Sequence, residues 1–437
     1  MVNRHLVICL CTSALLHGLL VQLSGGSLVG TARADAARDS AISIGPLTLG
    51  QALRLTSVHQ PALAAAAFRV RAAEARRSDA GRFGNPALTL SLENFGGALG
   101  DQRRETTLGV DQLVELGGDR AARARIAQSE VGQSGAARAT LERDALALTA
   151  ERFFDTWTLQ EKIERLRFAE QLATETIAAA DQRYRAGAAP VVERMRAEGV
   201  RVLRAVERRR VEAELAIARR RLATQWDMGE AVFDSLVLDD PGPAAIPPAE
   251  RLVALASPDM RRAAADIESA AARIAAARAA RTPDLTLTAG ARRLEEVRGT
   301  GLITSVGLPL PLWNGQSGNL RAAEAEHNAA QADERAIALR LSEAVQSGGA
   351  HFASALAAYD TLRVRLRPGS QEVLQLVRTG YQSGRFSHLE LLDAQRSVLE
   401  ADLAFIDAKA DVWRARIVLD LLAGTALNRT GALQEKR

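Results

Sequence analysis

The strongest constraint on the fold is an internal repeat with an offset of 197 residues. The segment YRAGAAPVVERMRAE begins at Tyr184 and the segment YQSGRFSHLELLDAQ begins at Tyr381, so 381 − 184 = 197. Matching prolines and glycines keep this offset elsewhere: Pro61 with Pro258, Pro86 with Pro283, Gly118 with Gly315, and Gly187 with Gly384. A register that holds from the first of these pairs to the last indicates that the chain contains two copies of one unit.

Each copy predicts one order of elements: a helix, two strands and a long helical hairpin. In the first copy, residues 35–238, strands are expected over about 87–95 and 106–116, and a hairpin over about 118–226 with its tip near Gly187. The second copy, residues 251–437, predicts strands over about 284–293 and 301–312 and a hairpin over about 316–423 with its tip near Gly384. The proline-rich residues 239–250 read as a linker.

The helices expected from the sequence are of two kinds. Thr48 and Gln51 have the form of a capping box and predict a helix that runs to near Gly81. The intervals from Gly118 to Gly187 and from Gly315 to Gly384 are both 69 residues, long enough for helices of ~100 Å. Heptad seams support these helices. They are formed by Leu159, Leu166, Ala173 and Ala180 in the first copy and by Phe352, Tyr359, Leu366 and Val373 in the second.

The predicted fold class is therefore mainly α with a small β part. Pro368 lies inside the second long helix, where it predicts a kink or an interruption, because proline has no N–H and its ring clashes with the preceding turn. In each copy the Tyr-x-x-Gly motif becomes the turn between a long helix and a returning one.

The N-terminus reads as an export signal over residues 1–34. Arg4 precedes an apolar stretch from Leu6 to Leu23, and Ala32-Arg33-Ala34 has the form of a cleavage site. An uncleaved anchor helix is the alternative, although about 18 residues is a marginal length for a membrane span. Both cysteines lie inside this segment, so the mature chain would have no disulfide or thiol chemistry.

Charge and motifs argue against nucleic-acid binding and catalysis. The formal net charge is +4, but the arginines alternate with Glu and Asp along helical faces, which is typical of solvated faces and not of a phosphate-binding patch. The six histidines show no H-x-x-x-H or H-x-H pair, and no phosphate loop or nucleophile elbow occurs. We therefore expect no enzyme activity, no cofactor, no resident metal site and no nucleic-acid partner.

Four strands with one apolar and one polar face cannot enter a bilayer alone. The N–H and C=O groups at their edges would be unpaired in lipid, and closed barrels need about eight or more strands. Other subunits must then complete the sheet. Three chains would supply twelve strands, and their helices would form a tube below them. An exported protein of this form is expected to be a conduit across an outer membrane and through the periplasm.

The chain after the export signal resembles the TolC-type outer-membrane efflux proteins. The resemblance rests on the duplicated unit, the strand start NPALTL, the Tyr-x-x-Gly turns and the segment LELLDAQ. The stretch SLENFGG, Ser91 to Gly97, is similar to the CzcC-like heavy-metal efflux branch. The resemblance implies a homotrimeric α-helical barrel continuous with an outer-membrane β-barrel and in contact with outer-membrane lipid in a Gram-negative bacterium. It also implies a periplasmic adaptor (membrane fusion) protein and an inner-membrane pump of the resistance-nodulation-division type.

Two acids near the second tip are candidates for a pore constriction. Glu390 and Asp393 are three residues apart and hence share one helix face. As an ordinary solvated face they would have no function. In a threefold tube they would place six carboxylates around one pore, which selects cations and resists full ionisation. The resemblance implies that these two positions form the constriction.

The resemblance also implies contacts that close the tip. Tyr381 matches the tyrosine of the family's gate, and Glu193 stands where some members have aspartate. Phe386 stands where an arginine serves as the ion-pair partner, so Arg385 or His388 would have to replace it. Gly187 and Gly384 are read as turn formers that expose the tips for adaptor docking.

The cargo predicted by the SLENFGG resemblance is a divalent heavy-metal cation. Only 4% of the residues are aromatic, so the pore would offer little stacking surface for drugs. Two alternatives stay open at this point. One is a drug or protein-secretion channel of the same family, and the other is a periplasmic coiled-coil scaffold without a pore.

Overall fold

The computed structural model describes residues 45–94, 104–230, 233–238, 257–312 and 315–422. The expected export signal, the linker 239–250 and the last three residues of SLENFGG lie outside these residues. In the described part of the chain, helices dominate over one four-stranded and one two-stranded sheet. The predicted fold class, mainly α with a small β part, is confirmed.

The first copy contains two short helices, two strands and a long helical hairpin. In chain order its elements are β1 (Leu47–Thr48), α1 (Leu49–His59), α2 (Pro61–Ala80), β2 (Ala87–Glu93), β3 (Glu105–Val114), α3 (Asp119–Arg185), α4 (Val191–Ala223), a one-turn 3-10 helix (Thr224–Trp226) and β4 (Leu236–Val237). Strands β1 and β4 pair in parallel.

The second copy repeats the helix, strand pair and helical hairpin. Its elements are α5 (Pro258–Ala279), β5 (Leu285–Leu294), β6 (Gly299–Gly307), α6 (Ser317–Thr361), a π-helical turn (Leu362–Leu366), α7 (Arg367–Gln382) and α8 (His388–Leu422). With 67 residues, α3 alone is ~100 Å long.

The prediction of a single helix between Thr48 and Gly81 is wrong, because the helix is interrupted at Gln60. Pro61 cannot donate the hydrogen bond that a continuing helix requires, and it restricts the preceding residue to an extended conformation. Gln60 is extended with φ −68° and ψ 117°, and α2 starts with Pro61 in its first turn. The expected capping box is present: the backbone N–H of Thr48 donates to Gln51 at 2.9 Å, and the N–H of Gln51 donates to the Thr48 hydroxyl at 3.4 Å.

The four-stranded sheet has the order β2-β3-β5-β6, and all its neighbours are antiparallel. One cross-strand row joins Leu90, Leu108, Ala291 and Leu302, and Leu302 is 91% exposed. The opposite face is polar. There Arg292 pairs with Glu105 at 3.0 Å, and Asp111 accepts hydrogen bonds from Thr89 and Thr288, each at 2.5 Å. The sheet thus presents a bare apolar face and a hydrogen-bonded polar face.

Strand β6 ends at Gly307, five residues before the expected end at Leu312. Pro309 and Pro311 follow it, and a proline cannot donate a hydrogen bond to a neighbouring strand. None of the helices in the described part of the chain is both long enough and apolar enough to cross a membrane.

Two of the apolar clusters in the described residues lie on either side of the π-helical turn of the second hairpin. We call one the upper cluster; it consists of Phe352, Tyr359, Val412, Ala415 and Leu419. The other, the tip cluster, joins the two copies; it consists of Leu172, Leu374, Tyr381, Leu391, Ala394 and Val398. The π-helical turn lies between the two clusters along the chain.

Pro368 is accommodated by this π-helical turn. The N–H of Arg367 donates to the carbonyl of Leu362, five residues back, so the turn holds one residue more than an α-helical turn. Because of this extra residue, the buried positions after the turn differ from those of the predicted heptad seam. Phe352 and Tyr359 are buried as expected, but Leu366 and Val373 are 49% and 50% exposed. The buried positions move on by one residue, to Leu374 and Tyr381.

Candidate functional site

The two tips have the same backbone hydrogen bonds. Gly187 has φ 70° and Gly384 has φ 78°, a left-handed conformation that favours glycine. In the first copy the N–H of Gly187 donates to Tyr184 at 2.9 Å, and that of Ala188 donates to Arg183 at 2.9 Å. The equivalent bonds of the second copy run from Gly384 to Tyr381 at 3.1 Å and from Arg385 to Gly380 at 2.8 Å. This is the Schellman pattern, and it ends each long helix at the glycine.

Tyr381 is the residue that connects the two tips. Its hydroxyl donates to Oε2 of Glu193 on α4 at 2.9 Å, and its ring is 1% exposed. Arg183, on α3, donates from Nη1 to the carbonyl oxygen of Tyr381 at 2.8 Å, and its Cζ lies 4.5 Å from the centre of the ring. One aromatic residue of the second copy is therefore held by an acid and a base of the first.

Burial and the Glu193 carboxylate together raise the pKa of Tyr381 to about 12. Burial is the larger cause, because a desolvated phenolate is unfavourable; the hydrogen bond to Glu193 and the charge of that carboxylate add to it. The phenol thus stays protonated and remains a hydrogen-bond donor throughout the physiological range.

The structure places Arg385, one of the two expected replacement cations, away from this contact. Arg385 is exposed and has no ion-pair partner among the residues described. Phe386 packs against Gly380, where a side-chain carbon would collide with the ring. The cation that does contact Tyr381 is Arg183, which the sequence analysis did not single out. Its position directly before Tyr184 in the first copy was the available signal.

Glu390 forms a capping box at the start of α8. Its carboxylate accepts the backbone N–H of Ser387 at 2.6 Å, while its own N–H donates to the Ser387 hydroxyl at 3.3 Å. The hydrogen bond from the Ser387 N–H lowers the pKa of Glu390 below its ordinary value. Glu390 is exposed and carries its charge at the helix N-terminus, where the helix dipole favours an anion.

Asp393 lies one turn further along α8 and is also exposed. It lines a cleft of about 270 Å³ between α8 and the first copy, together with Leu172 and Arg204. Both acids are thus exposed in the first turns of α8. Among the residues described, no group of three or more His, Cys, Asp and Glu side chains could hold a metal ion.

His388 is the buried residue at this site. Its ring is 3% exposed and lies 5.8 Å, centre to centre, from the ring of Tyr381. Neither ring nitrogen has a hydrogen-bond partner among the residues that the structure describes. Burial lowers the pKa of His388; Glu193 opposes this shift, while Arg196 and Arg183 add to it. His388, the second of the two residues expected to replace the family's ion-pair arginine, is thus buried.

Comparison with known proteins identifies the fold and the family. The pattern of the family described as "Outer membrane efflux protein" matches residues 251–425. The cobalt-zinc-cadmium resistance protein CzcC of Cupriavidus metallidurans is 26% identical over 390 residues, which cover 87% of this chain and 90% of CzcC. The nickel and cobalt resistance protein CnrC of the same organism is 33% identical over 322 residues, 71% of this chain and 73% of CnrC.

The chain belongs to the outer membrane efflux protein family. Solved structures of other proteins share its fold. The channel-forming protein CusC has a TM-score of 0.74 at 19% identity and covers 86% of this chain and 92% of its own. VceC from Vibrio cholerae has a TM-score of 0.72 at 18% identity, with 87% and 96% covered. Family membership places this efflux protein in the outer membrane and confirms the resemblance expected from the sequence.

Proposed function

We propose that three copies of this efflux protein form an exit duct for divalent heavy-metal cations across the outer membrane. The proposed cargo is supported by the similarity to CnrC and CzcC, which are named for resistance to nickel, cobalt, zinc and cadmium. Neither similarity depends on SLENFGG alone, because each spans most of the chain. The proposal assigns no catalytic step to the protein.

The trimer is supported by the incomplete sheet. Strands β2 and β6, which carry Leu90 and Leu302, are the two outer strands of the four-stranded sheet. The outer edge of each strand has no partner strand in the described residues. An open edge and a bare apolar face are both unfavourable in lipid unless neighbouring sheets continue the pairing. Three sheets of four strands give twelve, which is enough to close a barrel.

We further propose that residues 35–238 and 251–437 are the two repeats and residues 239–250 their linker. The equivalent turns at Gly187 and Gly384 support this division. These tips would face a periplasmic adaptor protein, which connects the duct to an inner-membrane pump of the resistance-nodulation-division type. The helices would extend into the periplasm, away from the sheet.

Within this duct, Glu390 and Asp393 would form the charged constriction, with Tyr381 and Glu193 as its closing contact. Both acids are exposed at the start of α8, and Glu390 is held in place by Ser387. Three copies would create a negative field that attracts hydrated cations without binding them tightly. A duct must release its ions, so the absence of a soft-ligand cluster in the described residues suits this role.

The cargo is tested by deleting the gene and restoring it on a plasmid. We expect the deletion strain to lose tolerance to cobalt, nickel, zinc or cadmium and to keep its tolerance to amphiphilic drugs. Growth inhibition by each metal and drug is the measurement. Drug sensitivity with normal metal tolerance would move the protein to the drug-efflux channels of the same family.

The constriction is tested by replacing both acids with alanine in the reconstituted channel. Glu390→Ala with Asp393→Ala should reduce the preference for cations and weaken block by multivalent cations. A matched control replaces Glu400 and Asp411, exposed acids further along α8, which form ion pairs with Arg396 and Arg414. Equal selectivity of both double variants would show that the tip acids are ordinary surface charges.

A further inference from the structure

We propose that His388 is a proton-operated release for the contact between the two tips. Protonation of its buried ring in an acidified periplasm would separate Tyr381 from Glu193 and open the constriction. This inference rests on the proposed closing role of Tyr381 and Glu193. It adds a chemical signal, the external pH, to which the duct would respond.

The ring of His388 is a buried imidazole with unsatisfied hydrogen-bonding atoms. A neutral imidazole has one N–H donor and one acceptor nitrogen, and both nitrogens of His388 are buried without a partner in the described part of the chain. Such a group costs free energy even when it is neutral. A second proton would add a charge and a second unpaired donor in the same place, so the closed tip strongly disfavours the protonated ring.

Charged and aromatic groups face the His388 ring from each element that packs against it. Arg183 on α3 and Arg196 on α4 oppose a positive charge on His388, whereas Glu193 on α4 favours it. Tyr381 on α7 contributes an uncharged ring. On α8 itself the nearest acid is Glu390, which is exposed and bonded to Ser387. Glu193 is therefore the one acid among these residues that faces the ring from the first copy.

Tyr381 and a protonated His388 would compete for the carboxylate of Glu193. Glu193 already accepts the hydrogen bond of Tyr381 at 2.9 Å. A protonated His388 would need the same carboxylate as its counter-ion, and the hydroxyl of Tyr381 would lose its charged acceptor. Alternatively, the ring would leave the tip cluster for water. The first outcome breaks the hydrogen bond between Tyr381 and Glu193, and the second removes the ring that packs beside Tyr381 in the closed tip.

The direction of the pH dependence follows from linkage. The pKa of His388 is lowered in the closed tip, whereas an exposed imidazole titrates near its ordinary value of about 6.5. Above that value both states are neutral, and pH has no effect. As the pH falls below it, the open state takes up a proton first, and the closed state loses stability until the pH reaches the lowered pKa.

The test is the open probability of the full-length protein in planar bilayers between about pH 8 and about pH 5. We expect opening of wild type to rise severalfold on acidification, because the pKa of His388 is lowered in the closed tip and three copies act together. His388→Gln, which stays neutral, should show no rise. Replacement of the exposed His351 with glutamine should leave the response intact.

Two further variants make each outcome decisive. Tyr381→Phe removes the bond to Glu193 and shows what an opened channel conducts in the same bilayer. The double variant Glu390→Gln with Asp393→Asn removes acid titration at the constriction. The proposal is overturned if wild type stays closed at acid pH while Tyr381→Phe conducts. A full acid response in His388→Gln, or none in the variant without tip acids, would overturn it too. Metal tolerance of the deletion strain tests the proposed function separately, because it does not depend on His388.

Discussion

Tyr381 and Tyr184 occupy equivalent places in the two copies but have different surroundings. Tyr381 is 1% exposed and bonded to Glu193, whereas Tyr184 is 46% exposed, and its hydroxyl makes no hydrogen bond to the described residues. Both precede the same glycine turn. The pair separates the effect of the turn from the effect of the contact between copies.

At this scale, Tyr381→Phe should weaken the closed tip. A hydrogen bond to a charged acceptor contributes about 1.5–3 kcal/mol, and the lower part of that range applies here because Glu193 is half-buried. We expect a severalfold higher conductance at neutral pH, measured in planar bilayers. Tyr184→Phe is the matched control and should behave as wild type. Equal behaviour of the two variants would remove Tyr381 from the closing contact.

Glu390 should keep its charge in moderately acidic solution. Its pKa is lowered by the hydrogen bond from Ser387, so its contribution to the helix start is present above the ordinary carboxyl pKa and is lost only as the pH falls through the lowered value. The difference in reversal potential between wild type and Glu390→Gln should therefore persist at about pH 4.5. Disappearance of that difference at this pH would contradict the lowered pKa of Glu390.

Among the elements, the π-helical turn determines which side chains of the second hairpin are buried. It brings Arg367 to Asp402, whose side chain is 5% exposed, at 2.7 Å, and Arg165 of the first copy lies 4.0 Å from the same carboxylate. This ion pair stands between the upper cluster and the tip cluster. A buried carboxylate that loses its cation is costly, because its charge has no compensation.

Arg367→Ala should consequently destabilise the protein by about 2 kcal/mol, less than a fully buried pair because Arg367 is 34% exposed and Arg165 remains nearby. Thermal unfolding of the detergent-solubilised protein measures this loss. The control is Arg396→Ala on α8, whose pair with Glu400 is exposed and should change stability by less than about 0.5 kcal/mol. The interpretation of the π-helical turn fails if both variants unfold at one temperature.

The elements show how far sequence periodicity can be trusted. Alternating Leu88, Leu90 and Leu92 predicted strand β2, and the repeat predicted the equivalent strand pair β5 and β6 in the second copy. The heptad seam failed after Tyr359, because a single extra residue in a helical turn moves every later side chain around the axis. Pro368 was a visible signal that the helix is disturbed there. The sequence does not show whether a proline produces a kink or a widened turn; in the structure the widened turn occurs together with the ion pair of Arg367 and Asp402 on α8.

The site could be predicted in part for a similar reason. The resemblance brought Tyr381 and Glu193 to attention, and the structure places their side chains in contact. Arg183 and the burial of His388 were missed, because they depend on how the first copy packs against the second. The role of Glu390 in a capping box could have been found from Ser387, three residues before it.

On the scale of the whole molecule, the account depends on completion of the sheet by other copies. Strands β2 and β6 end the four-stranded sheet, and the exposed leucines of one face have no cover within the described chain. Family membership places the protein in the outer membrane, where such a sheet requires partners. A trimer also brings three pairs of tip acids to one axis, on which the proposed cation preference depends.

The most direct test is the mass of the protein extracted from outer membranes in mild detergent, measured by native mass spectrometry. The account predicts a single species of three chains that conducts when it is reconstituted into bilayers. A stable monomer that dissolves from the membrane in salt alone would contradict the duct.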